Sequence, residues 1–173
     1  IHDPDALRFM AAEDLPQALA SGTIDAFAMR EPYVSEARGL LGENALILSA
    51  PGLYPQRELL LARTAVAHKR PAALRRFVRA LLAAEDFCAA EPAAARALVA
   101  RELSVPVARI DTLWPAIRVR LRLDQSLLVL LEDQARWYMS AGLAPQQRLP
   151  NYLIMVDPGP LLDVAPTSVS LIH

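Results

Sequence analysis

Four side chains with binding chemistry lie around one proline. Met29, Arg30, Glu31 and Tyr33 flank Pro32. A carboxylate accepts hydrogen bonds, and the planar fork of a guanidinium suits a sulfonate or a carboxylate. Methionine and tyrosine add apolar walls and one hydroxyl. This combination predicts the binding of a small polar molecule.

The elements around these residues predict their position. Ser21 and Gly22 resemble the end of a helix, because glycine tolerates the left-handed conformation that closes a helix. Residues 24–29 have the length and apolarity of a strand buried on both faces. Pro32 suits the first turn of the next helix. The candidate residues therefore lie where a strand gives way to a helix, and open α/β sheets bind their ligands at that edge.

Each candidate also has an ordinary structural interpretation, and the sequence leaves open whether the residue binds a ligand or has only that structural role. Glu31 can stabilise the N-terminus of its own helix through the helix dipole and the free amides. Arg30 is favoured as a solvated surface residue, and Met29 as core filling. Tyr33 fits a binding surface and a structural position equally well.

The order of elements predicts the fold class. Apolar runs at 7–11, 24–29 and 45–49 alternate with helical segments, which is typical of an α/β protein with a parallel sheet. A turn-rich segment at 50–56 suggests a crossing between domains. Residues 59–66 are predicted to be a further strand, and the rest of the chain is mostly helical. Two of the predicted helices begin at a proline, Pro71 or Pro92, and a long third helix begins at Gln125, directly after the N-cap candidate Asp124.

Composition excludes several functions. The 18 basic and 19 acidic residues give a net charge of −1, so nucleic acid is a poor partner. One cysteine, Cys88, and three scattered histidines predict neither a disulfide nor a metal site. No catalytic motif is present, so neither an enzyme nor a cofactor is expected. No apolar run is long enough to span a bilayer. We also expect a processed or longer native chain, since residue 1 is Ile and no signal peptide precedes it.

Several local patterns resemble one known family when taken in order. The chain is similar to the nitrate, sulfonate and taurine class of periplasmic substrate-binding proteins of ABC importers. The resemblance covers essentially the whole chain but only the C-terminal half of such a protein. It is carried by residues 18–26, Glu31-Pro32-Tyr33, the helix start at Pro71, the Glu91-Pro92 restart, the helix of Trp137 that ends at 140–143, and residues 161–164.

The resemblance implies an architecture. Family members have a periplasmic-binding-protein-like fold of type II, in which two α/β lobes close on a ligand; here that fold would be incomplete, with a helix-rich C-terminal part. Residues 1–49 would be the C-terminal part of lobe 2, 50–58 the hinge, and 59–173 the C-terminal part of lobe 1. An N-terminal half would supply the rest of both sheets.

The resemblance also implies a function. The protein would be a solute receptor in the bacterial periplasm or outside the cell, which captures a sulfonate, a taurine-like or nitrate-like compound or a pyrimidine precursor by lobe closure. It would deliver the ligand to an ABC transporter permease, its only connection to a membrane. Glu31 would accept hydrogen bonds from a ligand amine, Arg30 replaces an aromatic residue of many relatives, and Tyr54 in the hinge would add a contact.

Two other functions stay open on the same resemblance. The chain would serve as a ligand-sensing domain if it were fused to a signalling or transporter protein. An enzyme like the thiamine-pyrimidine synthases that share the fold is disfavoured, because the metal-binding histidines and cysteines that such an enzyme needs are absent.

Overall fold

The computed structural model describes residues 6–48, 56–145 and 148–172. The chain forms two compact units, Ile1–Leu59 and Leu60–His173, which we call unit one and unit two. The division predicted from the resemblance, with 1–49 in lobe 2, 50–58 as the hinge and 59–173 in lobe 1, stays a prediction. Tyr54 lies outside the described residues.

In its described residues, unit one contains two short helices that pack against each other. A 3-10 turn at Ala12–Asp14 leads into α1 (Leu15–Ala20); α2 spans Tyr33–Leu41 and continues into a 3-10 turn at Gly42–Asn44. Pro16 is fully buried in the first turn of α1, where a proline removes no helical hydrogen bond. Ala37 on α2 is also buried.

A left-handed glycine ends α1, as its sequence predicts. Gly22 has φ +72° and donates its N–H to the carbonyl of Leu19. The N–H of Thr23 donates to the carbonyl of Ala18 at 2.9 Å. These two bonds form a Schellman motif, which satisfies carbonyls that the helix end leaves free.

The prediction of an α/β fold is wrong. In the described part of the chain there is no β-sheet, and the predicted strands at 7–11, 24–29 and 45–48 are irregular. The predicted strand at 59–66 is irregular up to Arg63, and α3 begins at Thr64. The two-lobe α/β architecture that the resemblance implies is therefore also not what this structure forms.

The physical reason lies in strand pairing. A strand is stable when its backbone N–H and C=O groups pair with a neighbouring strand. The apolar runs have suitable side chains, but within the described residues they do not pair with one another. Leu46 and Leu48 accordingly remain 83% and 87% exposed. An apolar run predicts burial, and it does not identify a partner.

Unit two is an assembly of helices. Its helices are α3 (Thr64–Lys69), α4 (Pro71–Ala90), α5 (Pro92–Glu102), α6 (Val107–Leu113), α7 (Gln125–Ser140) and α8 (Gly159–Leu162). 3-10 turns lie at Trp114–Ala116, Tyr152–Ile154 and Pro166–Ser168. The helix starts predicted at Pro71, Pro92 and Gln125 are confirmed.

The core of unit two comes from helix faces. Helix α4 packs against α5 and α8, and α5 packs against α6. Among the described residues of unit two, the buried apolar side chains lie on helices α4 to α8 and at Leu171; they are Val78, Ala95, Ala100, Ile110, Leu127, Leu128, Leu161 and Leu171. An ion pair of 2.6 Å between Arg96 and Asp111 also joins α5 to α6.

Two extended segments meet in unit two. Leu123 and Val169 form an isolated parallel β-bridge, the only one within the described residues. Leu123 donates its N–H to the carbonyl of Ser168 and accepts from the N–H of Ser170, both at 2.9 Å. This bridge fixes the backbone just before α7. Among the described helices, none is long and apolar enough to cross a membrane.

Candidate functional site

Four of the five predicted site residues lie together before and at the start of α2. Residues 26–30 are irregular, the Glu31-Pro32 peptide bond is cis, and Pro32 is the N-cap of the helix. Proline has no N–H to donate, and its side chain cannot accept a hydrogen bond. The first turn of α2 therefore needs another group to satisfy its free amides.

Glu31 supplies that group. Its Oε2 atom accepts a hydrogen bond of 3.0 Å from the backbone N–H of Ser35. The carboxylate lies at the positive end of the helix dipole, where a negative charge is favourable. The structural role that the sequence suggested for Glu31 is thus present.

This capping contact leaves part of the carboxylate available. Glu31 is exposed, and its Oε1 atom has no hydrogen bond or ion pair within the described residues. A carboxylate has about four acceptor positions, so one amide does not saturate it. The arrangement holds one oxygen in place and presents the other to solvent.

Arg30 has a partner that the sequence did not indicate. Its Nη1 atom lies 3.9 Å from Oε1 of Glu58, and the two side chains are 62% and 87% exposed. Glu58 also accepts a hydrogen bond of 3.0 Å from Nε2 of Gln56. An exposed ion pair of this length contributes little stability, so the guanidinium is only weakly held. No local pattern connects Arg30 with a glutamate so far along the chain.

Tyr33 and Met29 complete the group. Tyr33 is half-buried at the first position of α2, whereas Met29 is 38% exposed. The preference for Met29 as core filling is therefore not what the structure shows. Tyr54, the fifth candidate, lies outside the described residues, so its role stays a prediction.

The groups around Pro32 offer contacts for a polar ligand. Within the described residues no cluster of His, Cys, Asp or Glu can hold a metal ion. The exposed strip formed by residues 29–33 offers an anchored carboxylate, a weakly paired guanidinium and a half-buried tyrosine. Two shallow cavities of unit two, one against α7 and one against α3, contain none of these residues. The candidate site is an exposed strip of unit one and not an enclosed pocket.

Comparison with known families gives the class of the protein. A sequence profile described as the NMT1-like family matches residues 6–104, which is more than half of the chain. The chain therefore belongs to the NMT1-like family, and the resemblance to nitrate-, sulfonate- and taurine-binding proteins is confirmed. Membership is consistent with solute binding, with a non-enzymatic role, and with a small-molecule ligand handled by a transport system. Comparisons with curated proteins and with solved structures gave no match.

Proposed function

We propose that this chain belongs to the solute receptor of an ABC importer, and that Glu31 recognises an amine on the ligand. The observation that carries the proposal is the half-used carboxylate at the start of α2. One oxygen caps the helix through Ser35, which fixes the direction of the other. A charge held in this way loses little side-chain entropy when it binds.

The proposed ligand class follows from the charges near Glu31. A helix N-terminus favours an anion, but here the carboxylate of Glu31 already occupies that position. An amine or NH group is the complementary partner for the free oxygen. Arg30 would accept a sulfonate or carboxylate of the same ligand in exchange for its weak contact with Glu58. A taurine-like compound carries both groups.

Calorimetry on the full-length protein tests this ligand class. Taurine and ethanesulfonate share a sulfonate, but only taurine has the ammonium group. We expect taurine to bind more tightly, and nitrate and pyrimidine precursors serve as further ligands in the titration. If none of these compounds binds, the proposed ligand class is wrong.

A pair of matched variants tests the role of Glu31. Glu31→Gln keeps an oxygen for the Ser35 amide and removes the charge, so circular dichroism should remain unchanged. Taurine should bind about tenfold or more weakly, because hydrogen bonds to charged groups contribute about 1.5 to 3 kcal/mol. The affinity for ethanesulfonate should change little. Glu36→Gln, an exposed acid one turn further along α2, is the control. An equal loss in both variants would mean that net charge, and not Glu31, governs affinity.

The location and partner are part of the same proposal. The receptor would act in the periplasm or outside the cell and would pass its ligand to a permease. Fractionation of cells that produce the native protein tests the location. Ligand-dependent cross-linking to a transporter subunit tests the delivery step, and a cytoplasmic protein without such a partner would contradict this part.

A further inference from the structure

Residues 117–123 of unit two have an alternating composition. Arginines at 118, 120 and 122 alternate with Ile117, Val119, Leu121 and Leu123. The backbone is extended at both ends of the segment: Ile117 has φ −93° and ψ 128°, and Asp124 has φ −128° and ψ 162°. Successive side chains of an extended chain point to opposite faces. An extended course between these two ends places the three arginines on one face, and all three are exposed.

One edge of this segment is already occupied. Leu123 exchanges two backbone hydrogen bonds with residues 168 and 170. The N–H of Leu121 donates to Oε2 of Glu85 on α4 at 2.7 Å, in a half-buried position. Residues two apart in an extended chain direct their backbone groups to the same edge. The backbone groups of the odd-numbered residues therefore share the edge at which Leu121 and Leu123 are already bonded.

The opposite edge makes no backbone hydrogen bond to the described residues. It carries the backbone N–H and C=O groups of Arg118, Arg120 and Arg122, which have no hydrogen-bond partner within the described residues. Such an edge is a template for another strand. The segment therefore offers backbone groups in one direction and guanidinium groups on the adjacent face.

The charges beside this edge indicate which kind of strand could pair with it. Arg122 pairs with Asp124 at 2.9 Å, whereas Arg118 and Arg120 have no ion pair in the part of the chain that the structure describes. A second copy of this edge would place arginines beside arginines, which is unfavourable across a pair of strands. Acidic side chains at alternate positions of an added strand would face Arg118 and Arg120 instead. The exposed apolar side chains of Ile117 and Val119 would meet its other face.

We propose that residues 117–123 are a docking edge for an extended acidic segment of a partner protein, which pairs as a neighbouring β-strand with the backbone groups of Arg118, Arg120 and Arg122. Backbone pairing supplies the geometry, and the arginine face supplies the preference for glutamate or aspartate at every second residue. This edge lies in unit two and does not depend on the proposed solute site in unit one.

Fluorescence polarisation on the full-length protein tests the proposal. The probe is a short fluorescein-labelled peptide in which glutamate alternates with valine, and lysine replaces glutamate in a second probe. We expect the acidic peptide to bind and the basic peptide not to bind. A peptide N-methylated at the amides of one edge should lose binding about tenfold or more, because it cannot pair with the open edge.

Two double variants separate this edge from general charge. Arg118→Gln with Arg120→Gln should weaken binding of the acidic peptide about tenfold. Arg76→Gln with Arg79→Gln removes the same charge from exposed positions of α4 and should leave the affinity unchanged. Bound peptide should also slow amide hydrogen exchange at Arg118, Arg120 and Arg122. The proposal is overturned if the acidic peptide does not bind or if the N-methylated peptide binds equally well. It is overturned as well if both double variants lose affinity for the acidic peptide to the same extent. It is also overturned if those amides stay unprotected, or if anionic lipid vesicles or a nucleic acid bind this edge in place of the peptide.

Discussion

The two units use their apolar residues differently. Unit two places leucine, isoleucine and valine on helix faces, where residues such as Leu127, Leu128 and Ile110 are buried. Unit one buries Pro16 and Ala37, and larger side chains such as Phe9 lie on irregular backbone, where Phe9 is 90% exposed. A helical period gathers apolar side chains on one face without a partner strand, and an apolar run in extended chain does not. Apolar content therefore forms a core only where local structure already orders it.

The sharpest test of this difference is a cavity in unit two. Leu128→Ala should lower the free energy of unfolding by about 2 to 5 kcal/mol, since a buried leucine loses its contacts and leaves a void. Urea denaturation followed by circular dichroism measures the change. Val129→Ala, the next residue of α7 and 55% exposed, should change it by no more than about 0.5 kcal/mol. Equal losses of stability in the two variants would show that the contribution of a residue does not depend on which face of α7 it occupies.

A smaller effect concerns the contact between α4 and the segment before α7. Glu85→Ala leaves the amide of Leu121 without its acceptor and should lower the free energy of unfolding by about 1 to 3 kcal/mol. Glu85→Gln retains an oxygen for that amide and should lose much less. Hydrogen exchange at the Leu121 amide is the local readout. Unchanged exchange in Glu85→Ala would mean that this contact does not order the segment.

Still smaller effects are expected at equivalent helix ends in the two units. Gly22 after α1 and Gly142 after α7 have φ of +72° and +70°, and both donate backbone bonds of the same pattern. Replacing either glycine by alanine should destabilise its own unit by about 1 to 2 kcal/mol, because a Cβ opposes the left-handed conformation. Amide exchange in each unit reports where the loss occurs.

Replacement of a third glycine by alanine should increase stability instead of lowering it. Gly39 lies inside α2, and an added Cβ would meet no heavy atom within 4 Å. Gly39→Ala should therefore stabilise unit one by about 0.5 to 1 kcal/mol, as alanine favours the helical backbone. Thermal unfolding measures this gain. A loss of stability would contradict the observed space around Gly39.

Local rules in the sequence predicted the starts and ends of the longest helices well. Pro71 and Pro92 begin helices, and Asp124 caps α7 by accepting a hydrogen bond of 3.1 Å from the N–H of Ser126. Gly22 and Gly142 follow helix ends with positive φ. Each of these features depends on atoms within one or two turns of chain, so the types of neighbouring residues are sufficient to predict it.

Features that join distant residues were not predictable in this way. The apolar runs at 24–29 and 45–48 matched the composition of strands, but no local pattern states whether a partner strand is present. The contacts of Arg30 with Glu58 and of Leu121 with Glu85 likewise depend on the folded chain. The capping role of Glu31 was anticipated as one of two interpretations, and its ligand role stays a prediction.

The contact between Arg75 and Asp163 has a consequence for folding kinetics. Their side chains meet at 3.2 Å across 88 residues, and this contact joins α4 to the end of α8. Helices form in about a microsecond, whereas contacts between residues far apart in sequence require closure of a long loop. We therefore expect α4 and α5 to form early and the docking of α8 on α4 to come late in refolding.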